Sequence, residues 1–227
     1  MRKNEKTTLG SGLAALAAFA IFTVLVITVD VQPVGQNNTD IGFAALNCRF
    51  HEMTEVNMVL YSLTDWLGLV PILICIGFGL LGLIQLIREK SLFKVDTDLI
   101  ILGVYYVVVI FAYLIFEMIP INFRPVLIDG FLEASYPSST VLLVVCVMPT
   151  LCEQLNRRGG NSLIKITADI FTVLFSMFMI VGRLVSGVHW LTDIIGSILL
   201  GTGLYFIYEY FVLIALKRKR SVNFGIQ

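Results

Sequence analysis

Apolar residues run along this chain in long blocks separated by short polar punctuation, and six blocks are long enough to cross a bilayer. They cover residues 9–29, 66–87, 98–119, 137–154, 163–185 and 189–216. Between the first two the pattern changes. Across residues 41–65, Phe43, Leu46, Phe50, Met53, Leu60 and Leu63 recur at helical spacing with polar residues between them. That predicts an amphipathic helix on the membrane surface, either packing over the bundle or gating lipid tails. The predicted fold is therefore all-α: one polytopic domain over residues 1–227, a six-transmembrane-helix bundle with one surface helix. No small-residue cleavage pattern follows the first block, so it reads as a retained anchor. Pro149 predicts a kink in the fourth span.

Composition strengthens this reading. Of 227 residues, 57% are hydrophobic and 14% charged, with a mean hydropathy of +0.88, which excludes a soluble domain of this size. A formal net charge of zero gives no reason to expect nucleic acid, so the expected partners are membrane lipids. Nothing in the pattern specifies an oligomeric state. The four cysteines, Cys48, Cys75, Cys146 and Cys152, form no secreted disulfide framework. Gly77-Phe78-Gly79-Leu80-Leu81-Gly82 matches a dinucleotide fingerprint by letters, but it lies inside an apolar block, where close helix packing explains it better. Asp169 stands four residues after Lys165 and predicts a local ion pair. His51 reads as a solvated residue of the surface helix.

The basic residues sort by side. Arg2, Lys3, Lys6, Arg88, Lys90, Lys94, Arg157, Arg158, Lys165, Lys217, Arg218, Lys219 and Arg220 fall on one face, 13 of the 16 Lys and Arg. The positive-inside rule then puts both termini in the cytoplasm of a multi-pass cell-membrane protein. Arg49, Arg124 and Arg183 are left on the outer face.

Two of those three stand beside the one stretch that carries chemistry. Gly182 to Asp193 sets Arg183, His189 and Asp193 between two apolar blocks. If a helix begins at His189, Asp193 shares its face and orients the imidazole, as the carboxylate of a catalytic triad does. Arg183 supplies a planar cation suited to phosphate. A membrane-surface His beside a helix-capping Asp explains the same spacing. The loops holding Glu117 to Pro125 and Tyr136 to Thr140 converge on the same outer face, adding Arg124 and the hydroxyls of Ser138, Ser139 and Thr140 at a helix start.

Arg124-Pro125, then Pro137-Ser138, then Arg183 with His189 and Asp193 resemble the three motifs of the type-2 phosphatidic acid phosphatase superfamily, six-helix lipid phosphatases. The resemblance implies that His189 attacks phosphorus to form a phosphohistidine and that Asp193 orients it. It also implies that Arg124, Arg183 and Ser138 bind phosphate oxygens, and that no metal or other cofactor is required. The chain departs from the pattern at four positions. Glu117 stands where the family has Lys, Ser139 where it has Gly, Thr140 where it has the His that protonates the leaving oxygen, and Gly182 where it has Ser. Glu117 then reads as a partner of Arg124 or Arg183, or as a replacement acid. The expected function is a lipid phosphate or diphosphate phosphatase acting at the extracytoplasmic face. A polyprenyl diphosphate is preferred, because a diphosphate leaving group needs no acid. A lipid phosphotransferase and a catalytically impaired lipid-binding homologue are the alternatives.

Overall fold

The computed structural model describes residues 4–159 and 161–224; Arg2 and Lys3 of the basic set lie outside it. Of the C-terminal basic cluster, only Lys217 and Arg218 have described side chains. The chain forms α1 (Glu5–Thr28), α2 (Ala44–Thr54), α3 (Met58–Leu67), α4 (Leu69–Glu89), α5 (Thr97–Met118), α6 (Ser139–Arg157), α7 (Ser162–Val185) and α8 (Leu191–Phe224). Among the described residues there is no strand, only three isolated bridges in loops. Six helical segments are long and apolar enough to span a membrane, because α3 and α4 run together as one segment of 32 residues, Met58–Glu89. The protein is a multi-pass membrane protein with an all-helical bundle.

Local chemistry explains where the helices start and stop. Asn4, Asn57 and Asn161 cap α1, α3 and α7 by accepting from Lys6, Leu60 and Leu163 backbone N–H groups at 3.1, 3.0 and 2.9 Å. Lys90 ends α4 at φ 52°. α6 continues through Pro149.

The surface helix expected over residues 41–65 is two helices. Glu55 closes α2 at φ 52°, and Asn57 then caps α3 while its N–H donates to the Ser186 carbonyl at 3.0 Å. The break thus docks on the loop joining α7 to α8. That docking needs Gly187, at φ 69°, where a Cβ would lie 1.9 Å from the Glu55 carbonyl oxygen. Only α2 remains a separate short helix outside the spans. α3 extends the second span upward and packs against α7.

α8 lies against α1, α5, α6 and α2, and the main core gathers on it: Phe19, Leu102, Tyr105, Val147, Leu200 and Tyr208 are all buried. Most other helix faces are exposed and apolar, as lipid contact requires. At one end of the bundle Arg158 pairs with Asp96 and Asp98, and Lys217 with Glu5. The expected Lys165–Asp169 pair does not form; Lys165 donates instead to the Asn156 carbonyl, and Asp169 lies beside Cys152.

At the other end, Tyr136 pins the α5–α6 loop to α8. Its ring stacks 6.2 Å from Phe19, its hydroxyl bonds Thr23 Oγ1 at 2.8 Å, and its face covers Gly196. A Cβ at Gly196 would sit 2.6 Å from that ring. Gly196→Ala should therefore destabilise the protein by roughly 1–3 kcal/mol, the usual cost of overpacking. Gly77→Ala, with nothing within 4 Å of the added carbon, should gain from helix propensity instead. Thermal unfolding in detergent checks both; a higher Tm for Gly196→Ala would show that Tyr136 is not pinned there.

Candidate active site

The chain leaves α7 at Val185 and re-enters helix at Leu191, so His189 lies in the connecting loop and not in the first turn of α8. Asp193 is the third residue of that turn. Its Oδ2 accepts from the Trp190 N–H at 2.8 Å, the role a carboxylate plays in a capping box. The four-residue spacing predicted a shared helical face; the structure reaches the same juxtaposition by folding the loop onto the cap. His189 Nδ1 lies 3.5 Å from Asp193 Oδ2.

Between them stands Ser135, which the sequence reading missed. Its Oγ donates a short hydrogen bond to Asp193 Oδ2 and lies 3.1 Å from His189 Nδ1. A hydroxyl has one proton, and Ser135 gives it to the carboxylate. Its oxygen must then accept from His189, so Nδ1 carries the ring proton and Nε2 keeps its lone pair. The groups facing Nε2 agree with this: Ser138 Oγ at 3.2 Å and Arg124 Nη1 at 3.3 Å are both able to donate to it. Burial, followed by the charges of Arg124 and Arg183, holds the imidazole well below its usual pKa, so it is neutral near pH 7. Tyr136 and Pro137 separate Ser135 from Ser138, and seating Tyr136 on α8 delivers one hydroxyl to each ring nitrogen.

The start of α8 has a second support. Asn47 of α2 is fully buried; its amide donates to the Gly42 carbonyl and to Thr192 Oγ1, and accepts from the Thr192 N–H. An Asn on the inner side of an amphipathic helix was the available signal. His51, on the same helix, is half-buried with its ring 5.5 Å from that of Trp190, so it is not a solvated residue.

Arg183 is 1% exposed. Its Nη2 donates to Thr140 Oγ1 at 2.8 Å and to Asp65 Oδ1 at 3.1 Å, Nη1 faces Thr64 and the Tyr61 carbonyl, and the guanidinium lies 4.8 Å from the Tyr61 ring centre. Nε has no protein acceptor. Arg124 lies 5.8 Å from the centre of the same ring. Its ion pair is with Glu133 at 3.0 Å, through Nε. Glu117 does not pair with either arginine. It is exposed at the end of α5, beside Tyr113 and near Ser139. Asp65, on α3, and Glu133, in the α5–α6 loop, take the role assigned to it, pairing with Arg183 and Arg124.

Ser138 is the N-cap of α6, yet its hydroxyl faces His189 and does not cap the helix. The first N–H groups of α6, from Ser139 onward, are thereby left without a side-chain cap. An apolar cavity of about 550 Å³ opens from Asp65, Ser139 and Thr140 and continues between α4, α5 and α6 past Ile72, Tyr106 and Leu143. Among the described residues, no group of three or more His, Cys, Asp or Glu side chains is placed to hold a metal ion.

The PAP2 superfamily model matches residues 98–215, just over half of the chain, from the start of α5 to well inside α8. The chain belongs to the PAP2 superfamily. Its fold is similar to that in the crystal structure of the first transmembrane PAP2-type phosphatidylglycerolphosphate phosphatase from Bacillus subtilis, at 16% identity and a TM-score of 0.63 over 88% of this chain and 95% of that one. No curated protein is a significant sequence match. Two departures from the family pattern have local causes here. At Gly182 a Cβ would lie 2.8 Å from Thr64 Cγ2, so the residue lets α3 close on α7. Thr140 has its oxygen occupied by Arg183.

With only two histidines in the chain, His51 and His189, both buried enough to lower their pKa, neither ring should titrate at the ordinary value of 6.5. The direction is that of a base whose charged form is disfavoured: each stays neutral at pH 6.5 and protonates only as pH falls further. Nitrogen-15 histidine spectra of the parent and His189→Ala proteins across pH 5 to 8 read this directly. A His189 titration centred at or above 6.5 would contradict the neutral tautomer.

Proposed function

We propose that the protein is a lipid phosphate or diphosphate phosphatase in which His189 is the nucleophile. The observation that carries the reading is the imidazole itself: Nδ1–H is held by Ser135, which Asp193 holds in turn, so the Nε2 lone pair faces Arg124 and Ser138 at the uncapped start of α6. A phosphoryl group bound there would meet a positioned nucleophile and several donors to its oxygens. In the first step Nε2 attacks phosphorus, the bond to the leaving oxygen breaks, and the imidazolium charge is balanced by Asp193. Arg124 and Arg183 stabilise the equatorial oxygens, Arg183 through the Nε that no protein atom occupies. The apolar cavity between α4, α5 and α6 is shaped to take the lipid chain while its polar mouth lies beside Ser139 and Thr140. PAP2 membership supports phosphatase chemistry, and the basic clusters at the opposite end of the bundle support an extracytoplasmic site.

Thr140 narrows the substrate. Its oxygen accepts from Arg183, and a Thr hydroxyl does not deliver a proton to a leaving group near neutral pH. An alkoxide leaving from a phosphomonoester has a conjugate acid resembling water, whose pKa lies far above neutrality. A lipid monophosphate leaving from a diphosphate resembles a phosphorylated side chain, with a pKa of about 6, and departs unprotonated. A polyprenyl diphosphate is therefore the preferred class.

The experiment is phosphate release from lipid mono- and diphosphates in sealed right-side-out vesicles, with and without acceptor lipids. Expected is release to the outside, abolished in His189→Ala, with the diphosphate faster by roughly 10²- to 10⁴-fold, the usual worth of general acid catalysis. Thr140→His should narrow that gap. Activity surviving in His189→Ala would remove the nucleophile. Transfer to an acceptor without phosphate release would make the protein a phosphotransferase.

A further inference from the structure

The first half of the proposed reaction can run without an acid when the leaving group is a phosphate, but the second half cannot dispense with a base. A phosphohistidine is broken by water, and a water molecule attacking phosphorus must give up a proton. Thr140 is no better as a base than as an acid. His189 is consumed as the phosphorylated group, and Asp193 is fully buried behind it, on Nδ1. Two carboxylates remain at the arginines, Asp65 and Glu133.

Their positions differ. Glu133 pairs with Arg124 through Nε, whereas the nitrogen of Arg124 that faces His189 is Nη1, so Glu133 sits away from the imidazole on that guanidinium. Asp65 lies on α3 one turn after Tyr61, the ring that both guanidiniums approach, and it shares Arg183 Nη2 with Thr140. It also lines the mouth of the apolar cavity together with Ser139 and Thr140, and its side chain is 57% exposed, so water reaches it. His189 stands at the Arg124 end of the site and Asp65 at the Arg183 end. A phosphoryl group bridging the two guanidiniums has the nucleophile on one side and this carboxylate on the other, as an in-line displacement needs.

We propose that Asp65 is the general base that activates water to hydrolyse the phosphohistidine, a step that rests on the proposed nucleophile His189. The water oxygen attacks phosphorus while one of its protons passes to the Asp65 carboxylate. The P–Nε2 bond breaks with its electron pair returning to Nε2, and inorganic phosphate leaves. Asp65 then loses its proton to solvent through its exposed edge. Arg183 keeps the carboxylate aimed, and α3 delivers it because the helix continues the second span as far as the arginines.

The test uses Asp65→Asn in the full-length protein with a lipid diphosphate labelled with ³²P at its terminal phosphorus. The amide oxygen still accepts from Arg183 but takes no proton from water. Expected is a single burst of lipid monophosphate that slows far less than steady turnover does. Label then accumulates on the protein, and steady turnover falls by roughly 10²- to 10⁴-fold. Hydroxylamine, a nucleophile that attacks without prior deprotonation, should restore turnover in this variant, and Asp65→Glu should keep a measurable part of it. If Asp65 only positions Arg183, burst and steady turnover slow by the same factor, no label accumulates and hydroxylamine rescues nothing; that result overturns the proposal, as does parent-like turnover in Asp65→Asn. Failure of the underlying reading looks different: in that case the parent releases phosphate and His189→Ala does so equally well.

Discussion

A fully buried carboxyl group is costly unless donors reach it, and Asp193 is such a group, with its donors gathered on Oδ2. Two donors reach its Oδ2, the Trp190 N–H from the start of its own helix and the Ser135 hydroxyl from the α5–α6 loop, and the His189 ring of the α7–α8 loop stands 3.5 Å away. Satisfying one buried oxygen thus draws together segments that lie far apart in sequence. The same bonds settle which imidazole nitrogen carries the proton. Packing and chemistry are not separable at this point, because any shift of Tyr136 on Gly196 carries Ser135 and Ser138 with it.

The second arrangement is the approach of α3 to α7. Thr64 fits over Gly182, the break at Glu55 fits over Gly187, and between them Arg183 is enclosed by Tyr61, Thr64, Asp65 and Thr140. A guanidinium this deeply buried needs a partner charge, and Asp65 supplies it from the solvent side. Arg183 is thereby held in place before any substrate arrives, with its Nε still without a protein acceptor. In the proposed mechanism a cation held in this way does not have to reorient when negative charge develops on phosphorus.

How much of this was legible in the sequence depended on the range of the interaction. Block lengths and basic clusters predict the six spans, since bilayer thickness acts on each segment alone. Helical spacing across residues 41–65 is real in both halves, but periodicity cannot see a break made by a loop more than a hundred residues away, so α2 and α3 looked like one helix. Arg183, His189 and Asp193 were found because they are close in sequence. Ser135, Asn47 and Asp65 were not, because each becomes informative only when its partner arrives from another helix. Glu117 shows the reverse error. Matching it to a family position suggested a partner for the arginines, whereas in the structure Glu133 pairs with Arg124 and Asp65 with Arg183.

The central claim is that one particular nitrogen, Nε2 of His189, attacks phosphorus because Ser135 and Asp193 hold the proton on the other. The direct measurement is the site of attachment in the phosphorylated protein, trapped by rapid quench in base after mixing with a ³²P-labelled lipid diphosphate and resolved by peptide mapping. The account predicts an acid-labile, base-stable label on His189 at Nε2. A label at Nδ1, or an acid-stable ester on Ser135 or Ser138, would contradict it.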